Sequence, residues 1–178
     1  MIKLLLAFAL SSTLIRASEV SIKDFRELYE SLKASMNLDP GPSDAIKKQY
    51  DSIFEILPPS GNVNEYNASM QWALTKLTSE FCRERIKKDA VLPSNARWIH
   101  RQVDFSASPQ AQTGLSMTLN EYTDVFWQRA LKTDEETISN DFASRVATEL
   151  PDTASALVPY LTSLCTIIGT STDAIAFH

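Results

Sequence analysis

The chain has 178 residues, 44% of them hydrophobic and 22% charged, with three Trp, eight Phe and five Tyr. That is the size of one ordinary domain, with enough apolar surface for a sizeable core, and it excludes a disordered chain. The formal net charge of −5 repels phosphate backbones and excludes generic nucleic-acid binding unless cations gather on one face.

The first 17 residues follow a secretory pattern. Lys3 supplies the positive region, Leu4 to Leu10 the apolar run, and Ala17 the small residue before a cut ahead of Ser18. We therefore expect residues 1–17 to be a signal peptide and 18–178 a single helical domain. Removing the leader takes Lys3 and Arg16 but no acid, leaving 15 basic against 22 acidic residues, a balance of −7. The apolar run is shorter than the roughly 20 residues a bilayer-crossing helix needs, and no transmembrane span is expected in the mature chain. Export leaves periplasm, cell surface and medium all open.

Helical periodicity dominates the rest, and about six helices in an all-α bundle are expected. Ser21 with Asp24 marks a helix start. Ile22, Phe25, Leu28, Tyr29, Leu32 and Met36 make the stripe that follows, giving a first helix over about 21–36. Asp39-Pro40-Gly41-Pro42 is a turn and Ser43 an N-cap. Ile46, Tyr50, Ile53, Phe54 and Leu57 then carry a second helix until Pro58-Pro59. Residues 64–89 carry two stripes, one through Tyr66, Met70, Ala73, Leu74, Leu77 and Phe81, the other through Trp72, Thr75, Ser79, Cys82 and Ile86. A helix apolar on two sides belongs at the centre of a bundle.

From Pro93 to Thr118 the pattern weakens, and a long, irregular, packed loop is expected between the third and fourth helices. Two helices follow at about 119–132 and 134–149. Thr133-Asp134-Glu135-Glu136 reads as a capping box for the second of them, with Ile138, Phe142 and Val146 as its buried face. The last helix falls within about 152–169, in a stretch without charge between Thr153 and Thr172. Its Ser, Thr and Pro159 suit a buried core helix better than a lipid-spanning one.

Two cysteines in an exported chain are most economically a disulfide, Cys82 to Cys165, joining the third helix to the last. A reactive thiol or a metal ligand is the alternative. Against it stand the lack of a Cys-x-x-Cys and a histidine count of only two, His100 and His178. The lack of Cys-x-x-Cys-His also argues against c-type haem attachment, and no cofactor is expected.

The sequence holds no Gly-x-Ser-x-Gly elbow, no His-Glu-x-x-His, no phosphate loop and no calcium loop. His100 and Asp104 would stand one turn apart if their segment were helical, a spacing that can orient an imidazole for base catalysis. Trp98, His100 and Asp104 therefore define a candidate functional loop, although no nucleophile accompanies them. The acids Asp134, Glu135 and Glu136 fit helix-start electrostatics. Arg83, Arg85, Lys87 and Lys88 form the candidate interaction patch, with a solvated helix end as the plainer account. Asn67-Ala68-Ser69 fits a glycosylation sequon inside a helix and is assigned no function.

Several segments together carry a likeness. They are Phe25-Arg26-Glu27-Leu28-Tyr29-Glu30-Ser31-Leu32, Leu57-Pro58, the run from Tyr66 through Ser69, Gln71 and Ala73 to Phe81-Cys82, Val103-Asp104-Phe105, and Leu164-Cys165. In these the chain resembles an uncharacterised helical module of exported Gram-negative bacterial proteins, some of which also carry laminin-G-like domains. The resemblance covers most of residues 22–170 and implies a helical fold, export, and that both cysteines belong to the module's pattern. Met36-Asn37-Leu38 departs from it, standing where a Thr-Gly-Val-like turn is expected. The chain also ends after the module, so the adhesive activity of a laminin-G-like partner domain is not carried over.

The expected function is an exported, non-enzymatic structural or protein-interaction module of the bacterial cell envelope, with an envelope or surface protein as partner. The alternatives are a carrier of a small apolar ligand or cofactor, suggested by Trp72, Trp98, Trp127 and the methionines, and a hydrolase built around His100 and Asp104.

Overall fold

A computed structural model describes residues 25–38, 44–56 and 68–171. The expected leader at 1–17, the Asp39 to Pro42 turn, Pro58-Pro59 and Asn67 lie outside the described residues, as do the side chains of Phe25, Phe54 and Met70. The chain is all-α: α1 (Phe25–Ser35), α2 (Asp44–Ile56), α3 (Ala68–Ala90), α4 (Leu115–Trp127), α5 (Thr133–Thr148) and α6 (Leu157–Gly169), with no strand among the described residues.

The sequence stripes explain most of the packing. Leu28, Tyr29, Leu32 and Met36 of the first stripe are buried, as are Ile46 and Ile53 of the second. The α1 stripe meets the other two helices through aromatic rings, with Tyr29 centred 4.4 Å from Tyr50 and 5.4 Å from Phe81. As its two stripes predict, α3 is central and packs against α1, α2 and α6. The second stripe is buried only toward its C-terminal half: Cys82 and Ile86 are covered, while Trp72 and Thr75 are exposed.

The segment Met36-Asn37-Leu38, where α1 ends, has a physical reason for its residues. Asn37 takes φ 47°. Its N–H donates to Ala34 O at 3.0 Å, and that of Leu38 donates to Lys33 O at 3.1 Å. This is a Schellman ending, which needs a left-handed residue just past the helix, and Asn is the usual substitute for Gly there. Leu38 then tucks its side chain into the core.

The expected disulfide is present. Cys82 and Cys165 are bonded with their Cα atoms 5.9 Å apart, and both are buried, tying α3 to α6. The uncharged α6 buries Leu157, Tyr160, Leu161, Leu164 and Cys165. Its Thr162, Ser163, Thr166 and Thr170 hydroxyls each donate to the carbonyl four residues back, which lets polar side chains ride on an apolar helix. Gly169 is required by close approach, since a Cβ there would stand 2.7 Å from the Phe126 ring and from Thr78 Cγ2. Among the described residues no helix is long and apolar enough to cross a membrane.

Three expectations about the fourth and fifth helices need correction. α4 begins at Leu115 rather than 119, so the long connection covers 91–114 and includes short 3-10 turns at Ser94–Ala96 and Pro109–Ala111. The α5 start is shifted by one residue. Glu135, not Glu136, closes the first turn by accepting the backbone N–H of Lys132 at 2.9 Å. The Lys132 ammonium has no lone pair to return the bond, so only half of a capping box exists. The buried face of α5 also differs in part: Val146 packs half-buried against the core as expected and Ala143 and Ala147 are covered, whereas Ile138 is 69% and Phe142 43% exposed. Small residues win because α5 meets its neighbours at backbone distance. Tyr160 Oη donates to Ala143 O at 2.9 Å, and the Gln110 amide donates to Ala147 O at 2.7 Å.

Candidate functional site

The 91–114 connection has little regular structure, so its buried backbone groups must be satisfied by side chains. Asp89, in the last turn of α3 and wholly buried, satisfies two of its backbone N–H groups and anchors the network around them. Its Oδ1 accepts the Trp98 N–H at 3.1 Å and Arg85 Nη2 at 2.7 Å. Its Oδ2 accepts the Ile99 N–H at 3.1 Å and His100 Nδ1–H at 2.8 Å. Burial alone would raise the Asp89 carboxyl above its ordinary 3.8, but the His100 hydrogen bond, the Arg85 charge and the Trp98 N–H outweigh it and hold the group low, as a carboxylate.

Arg85 extends the network back to α1. Its Nη1 donates to Asn37 O at 3.2 Å and to Met36 O at 3.4 Å, while the Trp98 indole N–H donates to Ser35 O at 2.9 Å. The C-terminal carbonyls of α1, which have no intrahelical partner, are thus capped by two residues distant in sequence. Arg97 works in the same way inside the connection, giving Nη1–H to the carbonyls of Val103 at 2.7 Å and His100 at 3.1 Å while lying over the Phe105 ring.

His100 is the centre of this hub and is fully buried. Its backbone sits at φ 62°, a left-handed conformation costly for a non-glycine residue. The Glu121 carboxylate of α4 compensates by accepting its N–H at 2.8 Å. With Asp89 ionised, Nδ1 carries the proton. Nε2 then accepts the Tyr122 hydroxyl at 2.7 Å, and Leu161 O is the longer, second acceptor for that hydroxyl at 3.3 Å. Burial pushes the imidazole below its ordinary 6.5 and so keeps it neutral, against the opposing pull of Asp89. Burial also raises the Tyr122 phenol well above 10 and the Glu121 carboxyl above 4.5.

An Asp-His-Tyr chain has the makings of a proton relay, but both imidazole nitrogens are taken by protein groups and the ring has no solvent-facing edge. The arrangement joins α3, the connection, α4 and α6, and α1 through Arg85.

Of the candidate loop residues, Trp98 and His100 join this hub and Asp104 does not. Asp104 is exposed and accepts the Ser106 backbone N–H at 2.9 Å and the Ser106 hydroxyl at 2.6 Å. The carboxylate that orients His100 is Asp89, not Asp104. The candidate cationic patch also divides. Arg83 and Lys87 are exposed, with Arg83 paired to Glu80. Lys88 is half-buried, and Arg85 is buried in the hub, so the four do not form one surface. Helical spacing could have found this, because Arg85 and Asp89 fall on the Cys82–Ile86 stripe. Among the described residues no group of three or more His, Cys, Asp or Glu is arranged to hold a metal ion.

The outward stripe of α5 creates a second feature. A groove of about 190 Å³ runs between α5 and α6, floored by the buried Leu119 and Leu164 and rimmed by Ile138, Phe142 and Ile167. Ile167 is 50% exposed, so three large apolar side chains meet solvent on one face. Sequence periodicity marked Ile138 and Phe142 as apolar but assigned them to the core.

No protein-family model, curated protein or solved structure matches the chain.

Proposed function

We propose that the chain is an exported, non-enzymatic protein-interaction module of the bacterial cell envelope, and that it docks through the α5–α6 face. The observation that carries this reading is the solvent-facing group Ile138, Phe142 and Ile167 around an apolar groove, in a bundle whose other helices turn most of their large apolar residues inward. Contiguous exposed apolar surface of this kind marks interaction sites. The buried Cys82–Cys165 disulfide supports an oxidising destination, as does the leader-like pattern of residues 1–17.

Size weighs against a ligand carrier. At about 190 Å³ the groove falls below the roughly 300 Å³ of pockets that enclose a drug-sized ligand or a cofactor. A hydrolase around His100 has no support from the hub geometry, where every polar atom of the imidazole already has a protein partner.

The test is site-specific photocrosslinking in the native envelope, with the reactive side chain at Phe142 or Ile167 and, as control, at Lys47 on α2. A discrete adduct from the α5–α6 positions alone is expected. Adducts of equal yield from Lys47, or none from either helix, would refute the reading.

A further inference from the structure

We infer that the α5–α6 face takes a basic amphipathic helix of another protein, which sets one large apolar side chain into the groove and Lys or Arg residues on either side of it. This deepens the interaction reading above and rests on it.

Charge identifies the occupant. At about 100° per residue, Asp134, Ile138, Phe142, Arg145 and Glu149 share one arc of α5 about 80° wide. All five are exposed. The stripe is thus apolar in its middle and acidic at both ends. Its one base, Arg145, is already answered by Asp141 at 2.9 Å, whereas neither Asp134 nor Glu149 forms an ion pair among the described residues. Across the groove, α6 carries no charge. The imbalance extends beyond the stripe, since residues 129–152 hold three bases against six acids. A complementary cover therefore brings cations to Asp134 and Glu149. A second copy would set acid against acid, and an anionic lipid surface would do the same.

Shape identifies the form. α5 meets α6 where Tyr160 reaches the Ala143 carbonyl, and beside Ile138 and Phe142 the gap between them goes down to Leu119 of α4. A trough between two helices receives the ridge of a third, whose anchors repeat at i, i+3 and i+4. An engineered cavity of about 150 Å³ holds benzene, so the groove, at about 190 Å³, has room for one large side chain. Asp134 and Glu149 stand about 22 Å apart along α5, with the groove between them. On a helix, the residues seven positions either side of an anchor lie about 10 Å from it on nearly the same face, so cations there reach both acids.

Two 15-residue model peptides serve as probes, each with Leu on one helical face and either Lys or Glu on the other. Calorimetric titration of the oxidised 18–178 chain is expected to show the Lys peptide bound at least roughly tenfold tighter than the Glu peptide, the difference shrinking as salt rises. Asp134→Lys with Glu149→Lys is expected to reverse the preference. Asp134→Asn with Glu149→Gln, which keeps a cation out of the first turn of α5, is expected to reduce it at least roughly threefold. Phe142→Ser is expected to weaken both peptides. Asp51→Lys, at an exposed position of α2, is expected to leave the preference unchanged. An unchanged far-UV circular dichroism spectrum and melting transition will show that the variants stay folded.

A Lys peptide that fails to bind at about 1 mM, two peptides bound alike, or a preference that Asp51→Lys shifts as much as the α5 reversals would overturn the proposal. In the native envelope, the segment joined to a photoreactive side chain at Phe142 is sequenced by mass spectrometry. A net basic segment with apolar residues three or four apart is expected. An adduct on an acidic or neutral segment, or on a second copy, removes the basic helix and leaves the interaction reading standing. No adduct, or one confined to the chain's own residues 172–178, removes both.

Discussion

Replacing Asp89 with Asn tests whether the buried hub holds the fold together. The substitution keeps the shape and one acceptor oxygen. If that oxygen faces Arg85 and Trp98, the new amide N–H₂ meets the Ile99 N–H, and donor faces donor where the native contact is 3.1 Å. His100 can escape by shifting its proton to Nε2, giving that N–H to Tyr122 and letting the tyrosine proton turn to Leu161 O. Ile99 and Arg85 have no such remedy. A buried N–H left without an acceptor costs about 1–3 kcal/mol, and breaking a buried ion pair by removing one partner costs about 3–5 kcal/mol. These effects overlap, so Asp89→Asn is expected to lose about 4 kcal/mol, a large share of the roughly 5–15 kcal/mol that holds a domain folded. With a urea m-value near 2 kcal/mol/M, the unfolding midpoint at pH 7, disulfide intact, falls by about 2 M. A folded-state carboxyl held below its ordinary value contributes stability that is present above 3.8 and lost as pH falls through the folded value. The gap between wild type and variant therefore narrows on acidification below 3.8. A loss under about 1 kcal/mol, or a gap constant with pH, would refute the claim that Asp89 is the hub's structural anion.

Three further outcomes follow from the same contacts. The Cys82–Cys165 bond closes a separation of 83 residues. In the chain-entropy model its loss in a Cys82→Ala, Cys165→Ala double variant lowers stability by about 4–5 kcal/mol in urea unfolding, and a drop under about 1 kcal/mol would contradict that account. The Thr78 hydroxyl is buried without a hydrogen-bond partner among the described residues, so Thr78→Val is expected to raise the unfolding free energy by about 1 kcal/mol, and a loss would mean the hydroxyl is bonded. His100, neutral through burial, is expected to titrate below 6.5 when its ring resonances are followed by NMR. Its contribution to stability is complete above 6.5 and is lost as pH falls from there toward the folded value, and a midpoint at or above 6.5 would show that Asp89 outweighs burial.

The helices were legible because burial imposes a period, and the stripes through Leu28–Leu32, Ile46–Ile53 and Leu77–Phe81 obey it. The disulfide was legible from a count of two cysteines in a chain that opens on a leader-like pattern. What periodicity could not give was which apolar arc of α5 faces inward. Ile138 and Phe142 outweigh Ala143 and Ala147 on any hydrophobicity scale, but the contacts from Tyr160 and Gln110 reach α5 at its backbone, where only a small side chain fits. The partner of His100 was misread for a related reason. Asp104 is near in sequence, whereas Asp89 comes within 2.8 Å only because the connection folds back on the end of α3. Arg85 looked solvated because charged neighbours surround it in sequence, although its spacing from Cys82 and Ile86 already placed it on the inner stripe.

The hub and the α5–α6 face differ in whether the chain itself accounts for them. Buried charge at Arg85 and Asp89 is costly, but apart from the Arg85 Nε, which has no hydrogen-bond partner among the described residues, it answers needs of the fold. The carboxylate satisfies the N–H groups of a connection that lacks helical bonds, and the guanidinium caps carbonyls left open at the end of α1. No ligand has to be invoked to explain why those residues are charged. Ile138, Phe142 and Ile167 have no equivalent explanation. A solvent-facing arc of α5 would be served equally well by Glu, Lys or Gln, all good helix formers, and three large apolar side chains on one face raise the risk of indiscriminate association. Apolar residues at these positions gain free energy only when the face is covered.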